Sequence, residues 1–290
     1  MEILKSLLFG LVEGITEWLP VSSTGHMIIL DQFVKLDVSP EFYKLYEVVI
    51  QLGAILAVVI IFWDKLWPFT MSRKKSDASR TAVREVPAWK DGALALWINI
   101  IVACVPAAIV GIAFDDAIDA LFYHPVPVAV ALIVVGVLFI IIESTTGKKD
   151  PRITDLSSIT IKTALIIGLF QTLAAIFPGT SRSGATILGA LLIGVSREIA
   201  AEFTFFLAVP VMVGASLLKL LKYILSGVTA SGMEILVLIV GCVSAFAVSM
   251  FVIRFLMNYI KNHDFKVFGW YRIGLGALVI ILSISGLIAG

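Results

Sequence analysis

The chain has little charge. Asp, Glu, Lys and Arg make up 15% of its 290 residues, against 59% apolar residues, and the mean hydropathy is +1.02. A soluble globule of this size needs far more charge to cover its surface, so a water-soluble fold is excluded. Cysteine is nearly absent. Cys104 and Cys242 each lie inside an apolar run and read as small buried hydrophobes rather than as a disulfide framework. Met1–Leu8 lacks the basic flank and small-residue cleavage site of a signal peptide. No polar tract marks a soluble domain or a low-complexity tail, and no nucleic-acid partner is expected.

Long apolar runs are what the chain does have. Six are long enough to cross a hydrocarbon core, which takes about 20 helical residues: roughly Tyr46–Asp64, Leu94–Phe114, Val126–Glu143, Phe203–Lys222, Glu234–Leu256 and Tyr271–Leu287. Two further stretches, 3–34 and 162–194, are broken near their middle by polar residues with Pro and Gly. Non-helical backbone is tolerated in lipid only where protein or water satisfies it. Each broken stretch therefore predicts a re-entrant hairpin of two half-helices. The expected fold is an all-α integral membrane protein of one domain, 1–290.

Orientation follows from the short loops. The 65–93 loop carries Lys65, Arg73, Lys74, Lys75, Arg80, Arg84 and Lys90, the 144–162 loop Lys148, Lys149, Arg152 and Lys162, and the 257–270 loop Lys261 and Lys266. The 115–125 loop has Asp115, Asp116 and Asp119 and no basic residue. The basic loops are expected in the cytoplasm and both termini outside. The broken stretches also match each other at a spacing of 158: Gly10-Leu11 on Gly168-Leu169, Glu13 on Gln171, Pro20 on Pro178 and Ser23 on Ser181. Each precedes three spans, so the halves, about 1–143 and 160–290, would be inverted, with their polar turns meeting near mid-bilayer.

The first turn reads Glu13-Gly-Ile-Thr-Glu17-Trp-Leu-Pro20-Val-Ser22-Ser23-Thr24-Gly25-His26. Glu13 and Glu17, four apart, share a helix face, and ionisable groups in a bilayer normally persist for a function or a partner. Such a pair either binds a divalent cation or holds one proton as an acid–base unit. The bland alternative is a pair of carboxylates at an aqueous boundary. Ser22 and Thr24 read as helix caps, with Ser22 also a candidate phosphate contact. Ser23 stands three residues before His26, so the imidazole can approach the hydroxyl and activate it. The second turn, Pro178-Gly179-Thr180-Ser181-Arg182-Ser183-Gly184-Ala185-Thr186, leads into a helix N-terminus. Free N–H groups there attract anions, and Arg182 adds a fork matched to phosphate oxygens. Thr180, Ser181, Ser183 and Thr186 are the remaining candidate phosphate contacts. The bland role for Arg182 is a strut to Glu13 or Glu17. Arg254 and Arg272 read as side chains snorkelling to the cytoplasmic interface, and Gln51 and Gly53 as helix-packing residues.

At these two turns the chain closely resembles the bacterial undecaprenyl-diphosphate phosphatases of the bacitracin-resistance type, and the resemblance extends over its whole length. It implies an acidic pair at Glu13 and Glu17 and essential serine, histidine and arginine at Ser23, His26 and Arg182, with Ser181 and Thr186 assisting the phosphate. It also implies a divalent cation, Mg or Ca, a multi-pass protein of the bacterial plasma membrane with its site open to the extracytoplasmic side, and homodimers. The implied reaction hydrolyses a C55 polyprenyl diphosphate, recycling the lipid carrier used in peptidoglycan synthesis and conferring resistance to bacitracin. Two attacks remain open, one by Ser23 to give a phospho-serine and one by water directly. A transporter is the rival class, since broken helices at mid-bilayer are typical of transporters. The phosphatidic-acid-phosphatase superfamily is a weaker rival, because the His and Asp it places after the arginine motif are absent here.

Overall fold

The computed structural model describes residues 1–75, 83–146 and 150–288. Arg80, Lys148 and Lys149 of the orientation argument lie outside the described residues. Two short helices open the chain, α1 (Glu2–Thr16) and α2 (Ser23–Phe33), followed by α3 (Pro40–Ile61) and the single turn α4 (Trp63–Leu66). After two strands come α5 (Ala93–Phe122), α6 (Pro125–Thr145), α7 (Ile161–Ile176), α8 (Arg182–Leu192), α9 (Arg197–Leu225), α10 (Gly232–Tyr259) and α11 (Lys266–Ile284). Among the described residues six helices, α3, α5, α6, α9, α10 and α11, are long and apolar enough to cross a membrane. The chain is a multi-pass, helical integral membrane protein.

Each of the six coincides with a span read from hydropathy, and most run further. α5 continues through the acidic Asp115–Asp119 stretch and α9 begins at Arg197, because polar residues beyond the hydrocarbon still extend a helix. One departure from an all-α chain lies in the 65–93 loop. There β1 (Phe69–Lys75) pairs antiparallel with β2 (Val83–Trp89), Phe69 opposite Trp89. A polar segment outside the helices satisfies its backbone by pairing with itself.

Local signals set the helix ends. Pro40 and Pro125 occupy the first turns of α3 and α6, where a missing N–H costs nothing. Ser231 and Glu234 form a reciprocal capping box on α10. Glu234 also accepts hydrogen bonds from the Ser39 N–H and hydroxyl at 3.0 and 2.8 Å, tying the start of α3 to α10. Packing between spans uses small residues, as lipid-facing helices do. Gly10 of α1 lies against the Gly241 carbonyl of α10, Gly53 of α3 against the Cys242 carbonyl, and Gly168 of α7 against the Ala103 carbonyl of α5. Both cysteines are free thiols.

The 3–34 and 162–194 stretches each fold as a helix, a turn and a shorter helix. α1 and α7 have 15 and 16 residues, and α2 and α8 have 11 each. The turn after α1 bears on a core in which Trp18, Phe203, Phe205 and Phe206 are fully buried. Trp18 meets Phe205 edge-on at 5.2 Å.

Candidate active site

Both turns solve the same backbone problem in the same way. Ser22 and Ser181 are the only non-glycine residues with positive φ among the described residues, at 73° and 67°. Each is the N-cap of the following helix, accepting from Gly25 N at 3.3 Å and Gly184 N at 3.2 Å. A side chain in that region costs roughly 1–3 kcal/mol and persists where the surroundings enforce it, typically at functional sites. The caps therefore equate Ser22 with Ser181, correcting the pairing of Ser23 with Ser181. The second turn carries one more residue between its proline and its cap, and that extra place includes Gly179 at φ 94°.

This register puts Ser23 and Arg182 at the first position of their helices, and the fold brings them to one carboxylate. The Ser23 hydroxyl donates to Glu17 Oε2 at 2.8 Å. Arg182 Nη2 donates to Glu17 Oε1 at 3.1 Å. Ser183 of the second turn donates to the Glu17 carbonyl at 3.1 Å, so the turns are also joined through the main chain. Glu13 is buried on the same face of α1, and its Oε1 has no hydrogen-bond partner. An unmatched carboxylate oxygen away from water is costly and points to a proton or a cation.

The remaining candidates divide into working and supporting groups. Thr186 is completely buried; it donates to the Arg182 carbonyl at 2.8 Å and accepts from Thr204 of α9 at 2.8 Å. It braces the turn instead of offering its hydroxyl. Arg182 Nη1 is fixed by the Thr204 carbonyl at 2.9 Å. Ser181 Oγ, already bonded to Gly184, lies 3.1 Å from Ser183 Oγ, and Thr180 and Ser22 are buried.

His26 does not meet Ser23 as anticipated. Its Nδ1 lies 2.7 Å from the Ser22 carbonyl, and its Nε2 lies 2.7 Å from the Tyr271 hydroxyl. A carbonyl only accepts, so Nδ1 carries the proton and the neutral ring accepts from Tyr271 at Nε2. The rings also stack, with centroids 5.6 Å apart. The helical turn that lets His26 reach back to Ser22 turns it away from the Ser23 hydroxyl, which Glu17 takes.

Arg272 is the larger correction. It does not snorkel but is fully buried, donating to the Pro20 carbonyl at 3.2 Å and to the Gly179 and Thr180 carbonyls at 2.7 and 2.8 Å. One guanidinium thus ties both turns together. Its signal was visible as a charge at the edge of an apolar run, a feature that usually marks a function inside a membrane. Tyr271 and Thr204 carried no such mark. A cavity of about 480 Å³ lies away from these motifs, at the far end of α8 beside Arg152, Gly194 and Lys261.

Comparison with known proteins agrees with the motifs. The chain is 54% identical over 290 residues to an undecaprenyl-diphosphatase of Desulfitobacterium hafniense, covering 100% of this chain and 99% of that one. It is 56% identical over 283 residues to one of Enterococcus faecalis, with 98% of each chain covered. It is 55% identical over 281 residues to undecaprenyl-diphosphatase 1 of Clostridium acetobutylicum, with 97% of each covered. The family model described as bacitracin resistance protein BacA matches residues 6–278. With that match running from the first helix into the last span, the chain belongs to the BacA bacitracin-resistance family.

Proposed function

We propose that this protein is an undecaprenyl-diphosphatase: it hydrolyses undecaprenyl diphosphate to undecaprenyl phosphate and inorganic phosphate, returning the lipid carrier to cell-wall synthesis and so conferring bacitracin resistance. The observation that carries the reading is Glu17 joined at once to the Ser23 hydroxyl and the Arg182 guanidinium. Full-length relatives bearing that name support it.

Phosphoryl transfer rests on positioning and charge neutralisation. Arg182 and the N-terminal amides of α8 face the terminal phosphate. Ser23 attacks the terminal phosphorus while its proton passes to Glu17, the carboxylate it already touches. The bond from phosphorus to the bridging oxygen breaks, undecaprenyl phosphate leaves, and water then hydrolyses the phospho-serine, with Glu17 returning the proton. His26, held by Tyr271, steadies the strained Ser22 carbonyl beside the nucleophile. Glu13 and Glu17 would hold a divalent cation, Mg or Ca; the unpartnered Glu13 Oε1 fits that use, and one or two carboxylates with phosphate oxygens and water are the donors Mg takes. When bound, such an ion adds positive charge at the diphosphate.

The same reading makes the two broken stretches re-entrant hairpins of an inverted repeat. α1 packs on α10 while α7 packs on α5, and α3 meets α9 as α6 meets α11. Exchanging the halves carries the first pair into the second and each of the other two onto itself. The site opens to the extracytoplasmic side of the bacterial plasma membrane with both termini outside. Support comes from the basic loops at one end, and at the other from Asp115 and Asp116, which neutralise Lys222. A cavity of about 190 Å³ beside α2, lined by Asp31, Tyr43, Glu47, Tyr123 and His124, lies toward that second end.

Purified protein in detergent, where vectorial transport is impossible, should release phosphate from C55 diphosphate and trap labelled phosphate on Ser23. Absence of release would favour a transporter, and release without trapping would leave direct attack by water.

A further inference from the structure

Arg182 already has a carboxylate. Arg272 has none: among the described residues its guanidinium contacts are three main-chain carbonyls and no acidic group. It is fully buried, and its Nε has no partner. Of its five N–H groups, three are used by the carbonyls of Pro20, Gly179 and Thr180. Its surroundings add to the imbalance. A methyl group on Gly184 would come within 3.1 Å of Arg272 Nη1, so the guanidinium lies against the first turn of α8. That is the positive end of a helix dipole. A buried cation beside another positive pole, without a counter-ion, is an unfavourable arrangement that an anion would relieve.

We propose that Arg272 is the second anion-binding element of the site, with the diphosphate group as its counter-ion, and that it also positions the two turns against each other. The inference rests on the phosphatase reading for the identity of the anion. It divides the labour between two arginines. Arg182 answers Glu17 and the transferred phosphoryl, and Arg272 supplies the charge that the protein leaves unbalanced. Tyr271, the preceding residue, holds His26, so one turn of α11 serves both the first hairpin and the second.

The test is binding of methylenediphosphonate, a diphosphate that cannot be hydrolysed, and of its prenyl monoester, measured by calorimetry on the full chain in detergent. Arg272→Met removes the charge and keeps much of the volume. It should bind methylenediphosphonate about 30-fold more weakly, the loss expected for charged hydrogen bonds, while the ligand-free protein stays folded with a lower melting temperature, because three buried carbonyls lose their donor. Arg272→Lys restores the charge without the fork. It should recover most of the affinity and a near-normal KM while kcat stays about tenfold low. Equal binding of both ligands by wild type and a folded Arg272→Met would overturn the proposal. Should Arg272→Met fail to fold, Arg182→Gln decides: weakened but measurable binding supports a second cation, and complete loss overturns it. Loss confined to the prenyl ester would assign the site to the lipid headgroup, and equal loss for both ligands to any diphosphate; either supports the proposal. Wild type that binds in this pattern yet releases no phosphate from C55 diphosphate would refute the phosphatase reading and leave this one standing.

Discussion

The first and second turns share a backbone and differ in chemistry. Ser22 and Ser181 hold the same strained φ and cap the same first helical turn. The next residue is a hydroxyl, Ser23, in one and a cation, Arg182, in the other. Upstream, Glu13 on α1 stands where α7 has Gln171, a buried amide bonded only weakly to the Ala103 carbonyl at 3.4 Å. The two turns supply two helix N-termini, and the proposed mechanism uses one for the reacting group and the other for the anion. Neither turn is a site alone, because Glu17 and Arg272 each bind groups from both.

Erasing the difference between the turns should cost most where charge is lost. Arg182→Ala leaves Glu17 buried without its cation and should lower phosphate release about a thousandfold or more, while circular dichroism shows the helices intact. Ser23→Ala should lower turnover by a similar factor, about a thousandfold, with no labelled phosphate retained on the protein. Glu13→Gln, which copies the second hairpin into the first, should cost about a hundredfold and flatten the dependence on added Mg. The reciprocal Gln171→Glu should leave kcat nearly unchanged and lower stability by about 1–3 kcal/mol in a thermal melt, since a buried carboxyl gains no cation there. The smallest effect belongs to Ser181→Gly. Relief of the positive φ offsets a lost cap of about 1 kcal/mol, so the melting temperature should barely move.

Composition and hydropathy made the spans legible, because a bilayer imposes one length and one polarity on every crossing helix. The broken stretches and the convergence of Glu17, Ser23 and Arg182 were legible too, since a polar, Pro-containing turn inside an apolar run has few other uses. Contacts between side chains were not. His26 could be placed one turn from Ser23, but its second ring nitrogen is claimed by Tyr271, 245 residues away in sequence. Arg272 was misplaced for a related reason. Its position near the start of α11 matches an interfacial residue, and only the arrival of both turns shows why it is buried. The matching of the two caps, Ser22 and Ser181, also escaped the sequence, since hydroxyls at 22, 23 and 181 offer two equally good registers and only φ separates them.

The claim that two turns build one site is tested most directly by a double-mutant cycle on single-turnover phosphate release, using Ser23→Ala, Arg182→Lys and the combination. A shared site predicts that the double variant falls no more than about tenfold below the slower single variant, as groups acting on one transition state do. Multiplication of the two single losses would mean that the turns act independently, and would contradict the account.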